Sequence, residues 1–211
     1  MIQCIIFDMD NTLLKLKVNW ERLLHEINSK YFNNKYSHLT TTQFFVEYFH
    51  ILLMRVPKKQ REEIIRMRLK EELSGVSKVI CFPYKNVLKK LSKKYKLGIV
   101  SGNFRKTIKE AIKKCKIDSY IDEIIGIDDT PISKPSPVPL LMMLKKFKCK
   151  PINAVYVGDH PNDVKTGIAA GTKTIFVKNS KHYQELKRSN IKPDAIINTL
   201  FELEDVLKNI E

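Results

Sequence analysis

The first pattern along the chain is an unbroken apolar run, Ile5-Ile6-Phe7, that stops at two carboxylates, Asp8 and Asp10, followed by Asn11 and Thr12. A short apolar run bounded by turn formers reads as a buried strand. A carboxylate at the end of such a strand costs several kcal/mol or more unless it is paired. Two of them suggest a cation, a reaction, or both. A plain turn is the alternative, since Asp and Asn are common turn residues.

After Leu14 the period changes. Trp20, Leu23, Leu24, Ile27 and Tyr31 recur at helical spacing. Thr40, Thr41 and Thr42 offer N-caps for a second helix carrying Phe44, Phe45, Tyr48, Phe49, Leu52 and Leu53. Pro57 opens a third, with Ile64, Ile65, Leu69 and Leu73 before Gly75. No strand is expected between Lys15 and Ser77.

The remainder alternates. Helices are expected around Val87–Tyr95, Ile108–Cys115, Leu140–Phe147 and up to Ala170, where Gly171 is a candidate C-cap. Strands are expected at Leu97–Val100, Ile124–Ile125, Ala154–Val157, Thr174–Val177 and Ala195–Ile197, with a closing helix from Leu200 to Leu207. Alternation of this kind implies an α/β fold with a doubly wound, mainly parallel sheet. The expected organisation is a core of residues 1–14 and 78–211, interrupted by a small helical cap of residues 15–77.

Composition narrows the class without changing it. The chain has 211 residues and is 43% hydrophobic, as a globular protein is. No apolar run reaches the roughly 18 residues of a membrane span. The N-terminus runs straight into a strand, without a basic region or cleavage-like site, so a cytoplasmic protein with no membrane partner is expected. The formal charge of +15 would suit nucleic acid. The lysines are spread over polar helix faces, however, and no nucleic-acid motif accompanies them, so compositional bias is the preferred explanation. Cys4, Cys81, Cys115 and Cys149 form no metal or redox spacing; Cys4 and Cys115, on apolar faces, are expected to be buried free thiols.

Ligands of doubly wound sheets bind beyond the carboxyl ends of the strands. Four segments deliver polar residues to that edge: Asp8/Asp10, Ser101/Gly102/Asn103, Lys134, and Asp159/Asp163. Carboxylates converging from two strand ends suit a hard cation, most naturally Mg²⁺, and thereby a phosphorylated substrate. The stretches FDMDNTLL, IVSGN, Lys134-Pro135 and VGDHPND, in this order, resemble the four motifs of the haloacid-dehalogenase-like hydrolase superfamily. The helical stretch is similar to the cap of the subfamily containing phosphoglycolate phosphatase and β-phosphoglucomutase.

The resemblance implies roles. Asp8 would attack phosphorus and form an aspartyl-phosphate. Asp10 would protonate the leaving oxygen and then activate water. Asp8, the backbone carbonyl of Asp10, and Asp159 would hold Mg²⁺, with Asp163 supporting from behind. Thr12, Ser101, the amides of Gly102 and Asn103, and Lys134 would bind the phosphoryl oxygens, with Thr12 also orienting the loop around Asp8. His160 and the acids Asp128 and Asp129 read as turn residues, and Asp163 is also a candidate N-cap. Dehalogenases of the superfamily lack an acid at the position of Asp10, so its presence favours phosphoryl transfer. The expected activity is hydrolysis of a small phosphorylated metabolite. A sugar-phosphate mutase is the main alternative; a non-catalytic binding protein and a nucleic-acid phosphatase are the others.

Overall fold

A computed structural model describes residues 1–178 and 182–210. Six parallel strands form the main sheet: β1 (Cys4–Phe7), β4 (Lys96–Val100), β5 (Glu123–Ile125), β6 (Ala154–Gly158), β7 (Lys173–Val177) and β8 (Ala195–Ile197). Their spatial order is β5-β4-β1-β6-β7-β8. The chain builds outward from β1 on one side, then returns and builds outward on the other. The order reverses between β1 and β6, where an open α/β sheet leaves a crevice for a ligand.

Side chains alternate across the sheet, as strand geometry requires. Ile5, Phe7, Leu97, Ile99, Val155 and Val157 face one apolar cluster with Leu88, Ile108 and Leu203. These last three belong to α4 (Lys85–Leu91), α5 (Arg105–Lys114) and α9 (Leu203–Ile210). Cys4, Ile6 and Tyr156 face the other cluster, against α6 (Val138–Phe147) and Ala170 of α7 (Pro161–Ala170). Because both faces are covered, β1 carries no polar residue until it ends.

Between β1 and β4 the chain forms α1 (Trp20–Phe32), a π-helical turn (Gln43–Glu47), α2 (Phe49–Met54) and α3 (Lys58–Ser77). Two-residue strands, β2 (Leu14–Lys15) and β3 (Ile80–Cys81), pair antiparallel where the chain leaves and returns. The aromatic residues of this segment cluster with Phe104 and Ile127 from beside the sheet.

Several expectations are corrected. The second helix is split: Thr40 and Gln43 cap its start reciprocally, and it passes through the π turn before α2. α3 runs through Gly75 to Ser77, with Val18 packed so close that a Cβ at Gly75 would lie 2.5 Å from its Cγ2. Tyr95 lies beyond α4, and α8 (Tyr183–Arg188) went unpredicted. Cys115 is not a free thiol: it forms a disulfide with Cys81, because β3 lies beside the end of α5, a proximity the 34-residue separation conceals. The buried free thiols are Cys4 and Cys149. Asp128 and Asp129 are more than solvated turn acids: Asp128 accepts from the Arg105 amide, while Asp129 accepts from the Gly126 amide and pairs with the Arg105 guanidinium. No helix among the described residues is long and apolar enough to cross a membrane.

Candidate active site

The chain reverses immediately after β1. Asn11 adopts φ 59°, a left-handed conformation that Asn tolerates, and the Leu13 amide returns to the Met9 carbonyl over 2.9 Å. The Asp8 amide donates to Val157 O over 2.8 Å, continuing the β1–β6 pairing one residue past the strand. Asp8 and Asp10 are thereby held at the mouth of the crevice.

The crevice is a cavity of about 450 Å³ lined by Asp8, Asp10, Ser101, Gly102, Asn103, Lys134, Asp159 and Asp163. All but one of the residues singled out from the sequence meet there. The exception is Thr12. It is fully buried, and its hydroxyl donates to Asp159 Oδ1 over 3.4 Å instead of lining the cavity.

Lys134 is the electrostatic centre of this group. Its Nζ lies 2.7 Å from Asp8 Oδ1 and 2.6 Å from Asp163 Oδ1, with all three side chains buried. Burial pushes the ammonium toward losing its proton, but Asp163 and Asp8 outweigh it and hold its pKa well above the ordinary lysine value. The same burial pushes Asp8 up to about 7 against the pull of Lys134, and Asp10 up to about 6 despite the Leu16 amide, which donates to Asp10 Oδ1 over 2.8 Å.

Asp163 sits at the third position of α7, not at its N-cap. The N-cap is His160, whose backbone amide donates to Asp163 Oδ2 over 3.0 Å. Gly158 makes this possible, since a Cβ there would lie 2.4 Å from Asp163 Oδ2. The Tyr156 hydroxyl lies 3.2 Å from Asp163 Oδ1 and 3.1 Å from Val100 O. Tyr156 went unnoticed in the sequence because an aromatic residue in a strand reads simply as core.

Carboxylate oxygens of Asp8, Asp159 and Asp163 lie within 4.8 Å of one another. Three buried hard donors against one ammonium are a set that a divalent cation with oxygen ligands fits. A second group, His160, His182 and Glu185, is equally close. Its chemistry differs. His160 Nδ1 accepts from the Asn162 amide over 3.0 Å, so a neutral ring carries its proton on Nε2, 3.7 Å from Glu185 Oε2. Burial, first of all, lowers the His160 pKa to about 4, which keeps the ring neutral at the cavity edge.

The helical segment also reaches the cavity. Lys15, Trp20, Thr41, Thr42, Phe45, Val46 and Arg68 complete its wall. Lys15, just after the first motif, faces the cavity. Further along, Asn19 caps α1 and Arg22 pairs with Glu71 at the surface.

Known proteins resemble this chain in sequence and in fold. Pyrophosphatase PpaX of Bacillus mycoides is 29% identical over 99% of this chain and 98% of its own length. A haloacid dehalogenase-like family hydrolase from Streptococcus pneumoniae superposes with a TM-score of 0.69 at 20% identity, covering 98% of both chains. A predicted phosphoglycolate phosphatase from Haemophilus somnus gives 0.70 at 20% identity, again covering 98% of each. These two likenesses establish the fold. Residues 5–177 match the haloacid dehalogenase-like hydrolases as a family, and the chain belongs to that family.

Proposed function

We propose that this protein is a Mg²⁺-dependent phosphatase acting on a small phosphomonoester or pyrophosphate through an aspartyl-phosphate. The observation that carries this reading is Lys134, held at 2.7 Å from Asp8 with Asp10 on the same cavity wall.

Asp8 is the nucleophile: its carboxylate oxygen forms a bond to phosphorus as the bond to the leaving oxygen breaks. Asp10, drawn toward its protonated form by burial, donates its proton to that oxygen and later removes one from water. Ser101 Oγ and the amides around Asn103 receive the phosphoryl oxygens. Asp8, Asp159 and the Asp10 carbonyl would hold Mg²⁺, and Asp163 fixes Lys134 beside them. Thr12 steadies Asp159 from behind instead of touching phosphate.

Charge explains the need for cations. Unit negative charges about 3 Å apart repel by roughly 5 kcal/mol at an effective dielectric of 20, and a phosphate dianion meeting Asp8 feels about twice that. When bound, Mg²⁺ supplies two further positive charges beside the phosphoryl group.

Residues 15–77 form the cap in this reading and residues 1–14 and 78–211 the core, with the β2–β3 pair as the joint between them. The cap wall is where substrate choice resides. The likeness to PpaX puts pyrophosphate first among the compounds to try, beside phosphoglycolate, sugar phosphates and nucleoside monophosphates. Phosphate release from such a panel with Mg²⁺, run beside Asp8→Asn, tests the proposal. Asp8→Asn with full activity would sink it, and an isomerised product without free phosphate would favour a mutase.

A further inference from the structure

Arg68 and Glu72 lie one turn apart on α3 and are both fully buried, at 1% and 0% exposure. Arg68 Nε donates to Glu72 Oε1 over 2.9 Å, and another guanidinium nitrogen donates to Phe45 O over 2.7 Å. The third nitrogen donates to Gly102 O, in the loop that follows β4. Glu72 Oε2 accepts from the Phe104 amide over 3.0 Å, in the same loop. Rings of Trp20, Phe45, Phe49 and Phe104 surround the guanidinium, 4.3–5.6 Å away.

These contacts determine where the loop's peptides point. In a trans peptide the C=O and the following N–H point in opposite directions. Arg68 holds Gly102 O on the helical side, so the Asn103 N–H is turned away from it. That N–H faces Ser101 Oγ at 3.4 Å, on the cavity wall. The next peptide is pinned at both ends: its N–H, from Phe104, by Glu72, and its C=O, from Asn103, by the Ile127 amide over 2.9 Å. A guanidinium on the carbonyl also polarises the amide and strengthens its N–H as a donor.

We infer that Arg68, with Glu72 as its counter-ion, is a positioning residue that aims the Asn103 amide at the transferring phosphoryl group. The device belongs to α3, so the donor is set when the helical segment sits on the loop. This rests on the phosphatase reading above and adds to it the group that orients one of its donors.

The test compares wild type, Asp8→Asn, and the double variant Arg68→Met/Glu72→Gln. Removing Arg68 alone would strand a buried carboxylate. The double variant removes both charges, and the side-chain carbonyl left by Glu72→Gln can still accept the Phe104 amide. The measurements are p-nitrophenyl phosphate hydrolysis with Mg²⁺, inhibition by orthovanadate and by inorganic phosphate, and a thermal melt. For a double variant that melts like wild type, kcat is expected to fall roughly ten- to a hundredfold, since losing an oxyanion donor outright costs more. Vanadate, which mimics the five-coordinate phosphorus of the transition state, should lose about tenfold more affinity than phosphate. Wild-type kcat and vanadate binding in that variant would overturn the inference while leaving the phosphatase reading intact. Full activity in Asp8→Asn would overturn both. Should the double variant fail to fold, the wild-type Asn103 amide resonance, followed by ¹⁵N-asparagine labelling, decides: a downfield proton shift on saturation with vanadate supports the inference, and an unmoved resonance refutes it.

Discussion

The Asn162 side-chain amide donates to Glu47 Oε1 over 2.8 Å, joining the first turn of α7 to the π-helical turn. In the same turn Val46 O accepts from Ser133 Oγ, and Val46 Cγ2 would lie 3.1 Å from a Cβ on Gly102. Two strand-end loops and the first turn of α7 thus touch one short stretch of the helical segment. A hydrogen bond to a charged group contributes about 1.5–3 kcal/mol. Glu47→Ala is therefore expected to raise KM by roughly tenfold, with a smaller change in kcat, while Glu47→Gln, which keeps an acceptor, stays near wild type. Steady-state kinetics on any accepted substrate checks this; a fall in kcat at constant KM would contradict it.

Lys134 pairs with two buried carboxylates at once, and no neutral side chain can do so. Lys134→Met leaves Asp8 and Asp163 facing each other unpaired. Breaking a buried pair in this way costs about 3–5 kcal/mol. The variant should melt well below wild type and lose about a thousandfold or more in kcat. Mg²⁺ should raise its melting temperature more than that of wild type, because the surplus negative charge is greater. A melt insensitive to Mg²⁺ would argue against a cation site among these acids.

The Cys81–Cys115 bond closes a loop of about 34 residues between β3 and the end of α5. On a chain-entropy account a loop of that length stabilises the fold by about 3–4 kcal/mol. Replacing both cysteines with serine should lower stability by that order in denaturant titration. A reducing agent should reproduce the loss in wild type and have little effect on the variant.

Acid should weaken a particular surface network. Burial works against the Glu123 carboxylate, but the Ile124 amide, Arg105 and Lys146 outweigh it and hold its pKa down to about 2. A carboxyl lowered on folding contributes stability that is fully present above its unfolded value, near 4.5, and is lost as pH falls toward 2. Melts between pH 6 and pH 2.5, read as roughly spaced points along this window, should show a shallower acid decline for Glu123→Gln than for wild type. Equal slopes would show that the network contributes nothing measurable.

Much of this molecule was legible before its structure. The sheet's strands end where apolar runs meet Asp8, Ser101 and Asp159, because a doubly covered sheet tolerates charge only past its edge. Lys134 was legible from its place between β5 and α6 in motif order. The buried face of α3 was not. Its apolar residues Ile65 and Leu69 are only partly buried, whereas Arg68 and Glu72 are buried fully. Charges four apart on a helix normally signal a solvated face, and only the tertiary fold supplies the carbonyls, amide and aromatic rings that satisfy them. Thr12 shows the opposite failure. Its place in the first motif was plain, but which neighbour its hydroxyl would meet depended on how β1 and β6 come together.

The central claim is that phosphorus becomes bonded to Asp8, and trapping that bond tests it most directly. Wild-type protein would be acid-quenched during turnover of an accepted substrate with Mg²⁺, digested, and its peptides weighed. The account predicts a phosphorylated peptide containing Asp8, which hydroxylamine converts to the hydroxamate and which is absent from Asp8→Asn. Steady turnover with Asp8 unmodified, and an Asp8→Asn variant as fast as wild type, would contradict it.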